Sequence, residues 1–219
     1  MSLILASSSP WKLEILRAVG LEVAGEGHRV NEREVAFGEL LSENAGESIE
    51  EGVRRIAEAK ALSVSRRHDA AILVLGTDQV LEIDGKVFGK AGSPGEAHSV
   101  LSLLQGRGHR LVCGWALARQ HHVTASGVDT AHLRMRSLTG EQIQRYVETD
   151  EWRGMAGCYR FESIGRQLFD SIEGDFFTIL GMPLCSLLPT LRRVQVVSST
   201  GDTEESSPIS PISLIKGLI

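Results

Sequence analysis

The chain has 219 residues, 42% of them hydrophobic, and a formal net charge of −5. This length can bury one sizeable core, or two smaller lobes around a cleft. The acidic balance and the lack of a Lys/Arg stripe argue against a nucleic-acid partner. No apolar run is long enough to span a membrane. Three widely spaced cysteines form neither a metal cluster nor an even disulfide set, which predicts reduced thiols in a cytoplasm.

The first predicted elements are a short apolar strand at Leu3–Leu5, a serine loop and a helix. Ser9 and Pro10 are typical of an N-cap and of the first helical position. Lys12 then occupies the third helical position, which usually favours Glu because a helix N-terminus is partly positive. A cation is expected there if the loop holds an anion such as phosphate. The alternative is an exposed lysine, and the local pattern does not separate the two.

A lysine also interrupts the apolar face of the next predicted helix, Ser48–Ser65. Ile49, Val53 and Ile56 step along one face of this helix, and Lys60 takes the next position of the stripe. A lysine on an apolar stripe usually extends its ammonium group to solvent. An anion in the interior could instead draw it inward, and both alternatives stay open.

An acid and a base are expected to meet near a buried strand. Ala71–Leu75 is a continuous apolar run, typical of a strand buried on both faces, and Asp78 follows it. Ligand sites favour the carboxyl ends of such strands, although Asp is also common in turns. Asp84 and Gly85 predict a two-residue hairpin turn. That turn returns Lys90 to within about one residue of Asp78 in the register, so a simple ion pair is the alternative.

The rest of the chain alternates helices and strands. A helix with a capping box is predicted from Ser93 to Leu104, and Thr139 caps another. Strands are predicted at Arg110–Arg119, Ser126–Arg136, Tyr159–Glu162 and Phe176–Leu180, with a last helix at Leu184–Arg193. Residues 194–219 form a Ser/Pro-rich acidic tail that cannot bury enough apolar surface to order, so disorder is expected.

Nine short fragments, in this order, resemble the Maf nucleotide pyrophosphatases. They are Leu5–Pro10, Val30–Glu32, Glu58–Ala61, Gly76–Val80, Gly89–Lys90, Leu104–His109, Ala156–Tyr159, Glu173–Asp175 and Gly181–Leu184. Each fragment alone is a weak signal, whereas the ordered set is highly specific. The resemblance covers about Leu3 to Arg193.

The resemblance implies an α/β protein with the two-lobed Maf/inosine-triphosphatase-like fold. This fold has an elongated mixed sheet, helices around it and a deep central cleft, and it would form a single domain over residues 1–193. The family hydrolyses a nucleoside triphosphate to the monophosphate and pyrophosphate. Its catalytic positions match Asp78, Glu32, Lys60 and Lys90, and its phosphate-binding positions match Ser7, Ser9 and Lys12.

The family resemblance also implies a divalent cation, Mg²⁺ or Mn²⁺. Asp78 matches the general base that activates water. Asp78 and Glu32, together with the substrate phosphates, are the expected metal ligands. This chemistry is coherent, because a triphosphate needs several cations while a carboxylate orients or deprotonates water.

Three residues indicate which base the cleft accepts. Members that act on dTTP and UTP have Arg, Thr and Gln where this chain has Trp11, Gln79 and Glu162. The present trio is similar to the 7-methyl-GTP pyrophosphatase subfamily. Trp offers a stacking face for a cationic methylated purine, and Glu can accept hydrogen bonds from guanine. The alternatives are an amphipathic core residue for Trp11 and a solvent-facing strand position for Glu162.

The sequence therefore predicts a cytoplasmic nucleoside triphosphate pyrophosphatase that acts on 7-methyl-GTP or a related modified nucleotide. The competing enzyme hypothesis is a broad or dTTP/UTP-type house-cleaning pyrophosphatase. A non-catalytic regulator of septation or cell division is the hypothesis from another class. We expect the nucleotide as partner, without nucleic acid or membrane, and a homodimer is left open.

Overall fold

The computed structural model describes residues 2–31 and 48–194. Glu32 and nearly all of the predicted tail lie outside these ranges. The strands are β1 (Leu3–Leu5), β2 (Val23–Gly25), β3 (Leu73–Ile83), β4 (Lys86–Phe88), β5 (Gly108–Arg119), β6 (His122–Met135) and β7 (Phe169–Glu173). The helices are α1 (Pro10–Ala18), α2 (Ile49–Ser65), α3 (Pro94–Leu104), α4 (Gly140–Val147), α5 (Phe176–Ile179) and α6 (Leu184–Arg193), with a 3₁₀ helix at Ile164–Leu168.

The seven strands form one mixed sheet in the order β2-β1-β3-β5-β6-β7, with β4 paired to β3. β1 lies parallel to both β2 and β3, whereas the β3–β5, β5–β6 and β6–β7 pairs are antiparallel. The predicted hairpin turn has the expected register, with Ile83 opposite Lys86. The prediction of an α/β fold with an elongated mixed sheet is confirmed.

Two hydrophobic cores pack on one face of β3, one toward each end of the strand. Leu73 and Leu75 belong to a first core with β1, α1 and α6, whereas Leu81 and Ile83 belong to a second core with α3 and α4. Between them on the same face come Thr77 and Gln79, because side chains alternate along a strand. Two apolar cores with a polar interval between them match the two lobes and the cleft expected from the resemblance.

Helix α2 covers the opposite face of β3. A Cβ at Gly76 would lie 2.1 Å from the carbonyl oxygen of Ala57, and one at Gly114 would lie 2.6 Å from that of Val53. Glycine at these two positions therefore lets the helix backbone approach the sheet. This close approach brings the buried stripe of α2, with Lys60 on it, against the middle of β3.

Several predicted element bounds were wrong. Asp78 does not follow a strand but is the sixth residue of the eleven-residue β3. The segment Tyr159–Glu162 forms turns, with Cys158 at φ 58° before it, and Phe176–Ile179 is a helix capped by Asp175. Short apolar runs fit a strand or a buried turn equally well, so tertiary contacts decide them. Within the described residues no helix is long and apolar enough to cross a membrane.

Candidate active-site cleft

A cleft of about 1010 Å³ opens along the free edge of β3. β1 pairs with β3 only as far as Leu75, and β4 pairs with it only from Leu81 onward. Residues 76–80 therefore have a strand neighbour on the β5 side alone among the described strands. Because both neighbours stop short, the cleft reaches side chains on both faces of β3. Asp78 lies on the α2 face, and Thr77 and Gln79 lie on the other.

The first turn of α1 faces this cleft. Ser9 is the N-cap and Pro10 the first helical residue, as predicted, yet the Ser9 side chain makes no capping bond. Ser7 Oγ accepts a hydrogen bond from the Ser9 backbone N–H at 3.1 Å, which closes the loop. Both serines line the cleft. This helix start keeps donors and a positive dipole end facing the cleft.

Lys12 extends into the cleft and donates from Nζ to Thr77 Oγ1 at 2.8 Å. Burial lowers the pKa of Lys12, and the positive charges of Lys60 and Lys90 lower it further, while Asp78 acts in the opposite direction. The alternative of a fully solvent-exposed lysine is wrong, since Lys12 is half-buried and engaged. A half-buried ammonium among other cations favours an incoming anion.

Lys60 and Asp78 form a buried ion pair on the α2 face of β3. Lys60 Nζ lies 2.6 Å from Asp78 Oδ1, and the two side chains are 7% and 10% exposed. The lysine does not extend to solvent but is drawn inward, as the second alternative stated. Within the described part of the chain, Asp78 Oδ2 makes no hydrogen bond. The pair thus fixes the carboxylate and leaves one oxygen for a ligand.

Lys90 lines the same cleft, and among the described residues it forms no ion pair with Asp78. The ladder of β4 ends at Phe88, so the predicted pairing that would bring Lys90 to Asp78 does not form. Lys60 takes that position instead. Lys90 is exposed at the cleft wall, where its charge still acts on Lys12. The cleft lining therefore includes three lysines, of which Lys60 is buried, Lys12 half-buried and Lys90 exposed, and Lys60 pairs with Asp78.

Another part of the cleft lining is aromatic and amide. Trp11 is half-buried, packs against the first core, as the alternative stated, and also lines the cleft, where its stacking role stays a prediction. Gln79 donates its amide to the carbonyl oxygens of Thr178 at 2.7 Å and Ile179 at 3.1 Å. These bonds fix Gln79 between β3 and α5, with its carbonyl near Gly181.

Glu162 also lines the cleft. Its side chain is only 7% exposed, so the alternative of a solvent-facing strand position is wrong. The carboxylate accepts from Arg160 Nε at 2.7 Å. Trp11, Gln79 and Glu162 are thus brought into one cleft from α1, β3 and the turn before the 3₁₀ helix.

Sequence reasoning missed four residues at or beside the cleft. Thr77 and His28 line it, as does Tyr159, whose hydroxyl lies 2.8 Å from His109 Nε2. Burial lowers the pKa of His109 to about 4, so this ring is neutral near pH 7. The signal for Thr77 was available, because a polar residue interrupts the alternating leucines of β3. His109 and Tyr159 appeared only as the last residues of two family fragments, without a role, and no pattern pointed to His28.

Of the two predicted metal ligands, Asp78 lines the cleft, where it pairs with Lys60. The other predicted metal ligand, Glu32, lies outside the described residues. Among those described, no group of three or more His, Cys, Asp and Glu side chains could hold a metal. A single carboxylate with a free oxygen does fit Mg²⁺ or Mn²⁺, because Mg²⁺ is commonly held by one or two carboxylates with substrate phosphates.

Comparison with known proteins identifies the family. Residues 2–194 match the model of the Maf-like proteins. The chain belongs to the Maf family. A 7-methyl-GTP pyrophosphatase from Bartonella henselae is 40% identical to this Maf protein over 90% of the chain and 97% of its own length. A dTTP/UTP pyrophosphatase from Symbiobacterium thermophilum is 39% identical over 91% and 94%.

A solved HAM1 protein from Coxiella burnetii is 19% identical, with a TM-score of 0.39 over 62% of this chain and 73% of its own. A likeness of this size adds nothing to the argument. The two relatives differ by one percentage point of identity, so overall similarity to this Maf protein does not distinguish their substrates. The substrate must therefore be inferred from the cleft residues Trp11, Gln79 and Glu162.

Proposed function

We propose that this Maf protein hydrolyses 7-methyl-GTP to 7-methyl-GMP and pyrophosphate in the described cleft. The enzyme class is supported by the family match and by relatives named as pyrophosphatases. The observation that carries the chemistry is the buried Lys60–Asp78 pair beside the uncapped start of α1. This pair holds Oδ1 of Asp78 and leaves Oδ2 available at the cleft, and a buried ion pair is in itself weak evidence for a stabilising role.

In the proposed reaction a water oxygen attacks the α-phosphorus and the bond to the β-phosphate oxygen breaks. Asp78 Oδ2 accepts the proton of the attacking water while Lys60 holds Oδ1 in place. Lys12, Lys90 and the first turn of α1 bind the β- and γ-phosphates and stabilise the charge that collects on the pyrophosphate.

A bound Mg²⁺ or Mn²⁺ would neutralise phosphate charge and polarise the phosphorus–oxygen bonds. Asp78 would hold it, with Glu32 and the substrate phosphates as further ligands. The lysines alone supply positive charge without this ion, so we expect its removal by a chelator to reduce turnover more than binding.

Trp11 and Glu162 support a methylated guanine as the base. The indole presents a π face to a cationic ring, and the Glu162 carboxylate accepts hydrogen bonds from the ring edge and complements its charge. Pyrimidine triphosphates remain the second candidate, because the relative that acts on dTTP and UTP is nearly as similar. They would use neither contact fully.

The sharpest test of the chemistry is Asp78→Asn, which keeps the shape of the side chain and removes its charge. We expect kcat to fall by about 100-fold or more, the usual scale for losing a positioned acid–base group. Asp84→Asn is the matched control, since Asp84 occupies the exposed hairpin turn at φ 54°, which Asn tolerates. Turnover by Asp78→Asn within about 3-fold of the wild type would exclude Asp78 as the base.

A further inference from the structure

Arg160 contacts both residues that are proposed to hold the base of the nucleotide, Trp11 and Glu162. Its guanidinium carbon lies 5.2 Å from the centroid of the Trp11 ring, and its Nε lies 2.7 Å from Glu162 Oε1. Trp11 and Glu162 line the cleft, whereas Arg160 is not among the described residues that do so. The guanidinium thus lies against both the indole and the carboxylate.

The position of Arg160 is fixed through its backbone. Its N–H donates to the hydroxyl of Tyr146 at 2.9 Å, and a Cβ at Gly165 would lie 2.3 Å from its carbonyl oxygen. These contacts hold the residue against α4 and the 3₁₀ helix. From this anchored backbone the side chain extends to Trp11 of α1.

Glu162 needs this partner more than Arg160 does. The Glu162 side chain is 7% exposed and that of Arg160 is 40% exposed. A nearly buried carboxylate without a hydrogen-bonded cation is costly, so it would turn toward water or take up a proton. Because Nε occupies Oε1, the arginine also orients the carboxylate and leaves Oε2 for the cleft.

We propose that Arg160 is a positioning residue for base selectivity, which couples Trp11 and Glu162 into one site for a cationic purine base. This inference rests on the proposed function, because it concerns the base of the proposed substrate. The cation–π contact orients the indole of α1, and the ion pair orients the carboxylate of Glu162. Neither contact involves the lysines or the aspartate that are proposed to act on the phosphates.

The test compares wild type, Arg160→Gln and Arg160→Lys on 7-methyl-GTP, GTP and dTTP. We expect Arg160→Gln to raise KM for 7-methyl-GTP by about 10-fold with kcat within about 2-fold, because a binding contact is lost and the chemistry is not. Activity on dTTP should stay within about 2-fold. Arg160→Lys should recover part of the loss, since it restores charge without the planar stacking fork.

Arg153→Gln is the matched control. Arg153 also lies over an indole, 4.5 Å from the Trp152 ring, and also pairs with a nearby acid, Asp150. Trp152 is buried in the second core and does not line the cleft. The control should leave KM for 7-methyl-GTP unchanged, which separates base positioning from the general loss of an arginine–tryptophan contact.

A double-mutant cycle with Glu162→Gln tests the coupling directly. In the Glu162→Gln background, Arg160→Gln should raise KM by less than about 3-fold further, because its partner is already changed. Equal losses on all three substrates, a lowered KM for 7-methyl-GTP or fully additive effects would each overturn the inference while leaving the proposed function intact. A wild-type preference for dTTP would overturn the proposed substrate and this inference together.

Discussion

Two helices of this protein begin with the same dipeptide, Ser-Pro, and differ in the charge of the residue three positions after the serine. In α3 the N-cap Ser93 accepts from the Glu96 N–H at 3.2 Å, and Glu96 Oε2 accepts from the Gly92 N–H at 2.7 Å. In α1 the N-cap Ser9 makes no capping bond, and Lys12 stands where α3 has glutamate. The helix at the surface follows the stability rules, and the helix at the cleft does not.

The other long helices extend this contrast. Ser48 caps α2 through the Glu51 N–H, and Thr139 caps α4 in a reciprocal capping box with Gln142. Only α1, among the helices of eight or more residues that are described and start with Ser or Thr, lacks the cap bond. The start of α1 therefore lacks a local stabilisation that the other three helices have, and its donors stay available at the cleft, as the proposed phosphate binding requires.

Reversing the charge at α1 is the most severe way to break this contrast. Lys12→Glu would give α1 the pattern of α3, but it would place a carboxylate beside the triphosphate. We expect kcat/KM to fall by about 100-fold or more for every triphosphate, with the helix intact by circular dichroism. Retention of more than about one third of the activity would show that Lys12 does not contact phosphate.

The reciprocal variant is Glu96→Lys, which gives α3 the charge pattern of α1. It removes the bond to the Gly92 N–H and places a cation at a positive helix end. The free energy of unfolding should fall by about 0.5–1.5 kcal/mol in urea, while kcat/KM stays unchanged. A loss of activity comparable to that of Lys12→Glu would mean that the activity reports helix stability rather than phosphate binding.

Removing the two N-cap hydroxyls sharpens the comparison further. Ser93→Ala should cost about 1 kcal/mol of stability without affecting kinetics, because its capping bond exists. Ser9→Ala should cost little stability and raise KM by about 3- to 10-fold, because its hydroxyl is left for the substrate. Chemical denaturation and steady-state kinetics on the same samples check both, and the reverse pattern would refute the assignment.

The smallest expected effect is a gain. Lys12→Met should raise the Tm of the ligand-free protein by about 2 °C at pH 7, because burial disfavours the charged ammonium. The folded pKa of Lys12 is lowered, so the folded state binds this proton less tightly than the unfolded state does. The cost of the charge is largest at pH values below the lowered pKa and fades as pH rises toward 10.5. The advantage of Lys12→Met should fade over the same range, and an advantage independent of pH would contradict the argument.

The sequence was informative where one residue broke a local rule. Lys12 at a helix start and Lys60 on an apolar stripe were both singled out, and both side chains are at the cleft. These signals are informative because helix propensity and hydrophobic periodicity predict which residue would be favoured at a position if only stability mattered. The family resemblance then supplied the class of fold and reaction, and the family match and the relatives confirm both.

What the sequence could not supply were contacts that depend on three-dimensional position. The hairpin register placed Lys90 beside Asp78, yet the ladder ends two residues early and Lys60 comes from a helix instead. The sequence did not single out Arg160, because an Arg two residues before a Glu forms no distinctive motif and only the fold brings it to Trp11. The roles of the cleft residues and the single-domain boundary at 193 stay predictions.

The most direct test of the central claim measures pyrophosphate release by the full chain from 7-methyl-GTP, GTP, dTTP and UTP, with Mg²⁺ and with Mn²⁺. Trp11→Ala and Glu162→Gln are assayed beside the wild type. We expect wild type to prefer 7-methyl-GTP, and each variant to lose about 10- to 100-fold in kcat/KM on that substrate alone, given about 1–3 kcal/mol per stacking or charged contact. A wild-type preference for dTTP or UTP, or equal losses on all four substrates, would contradict the assignment of this cleft to a methylated purine.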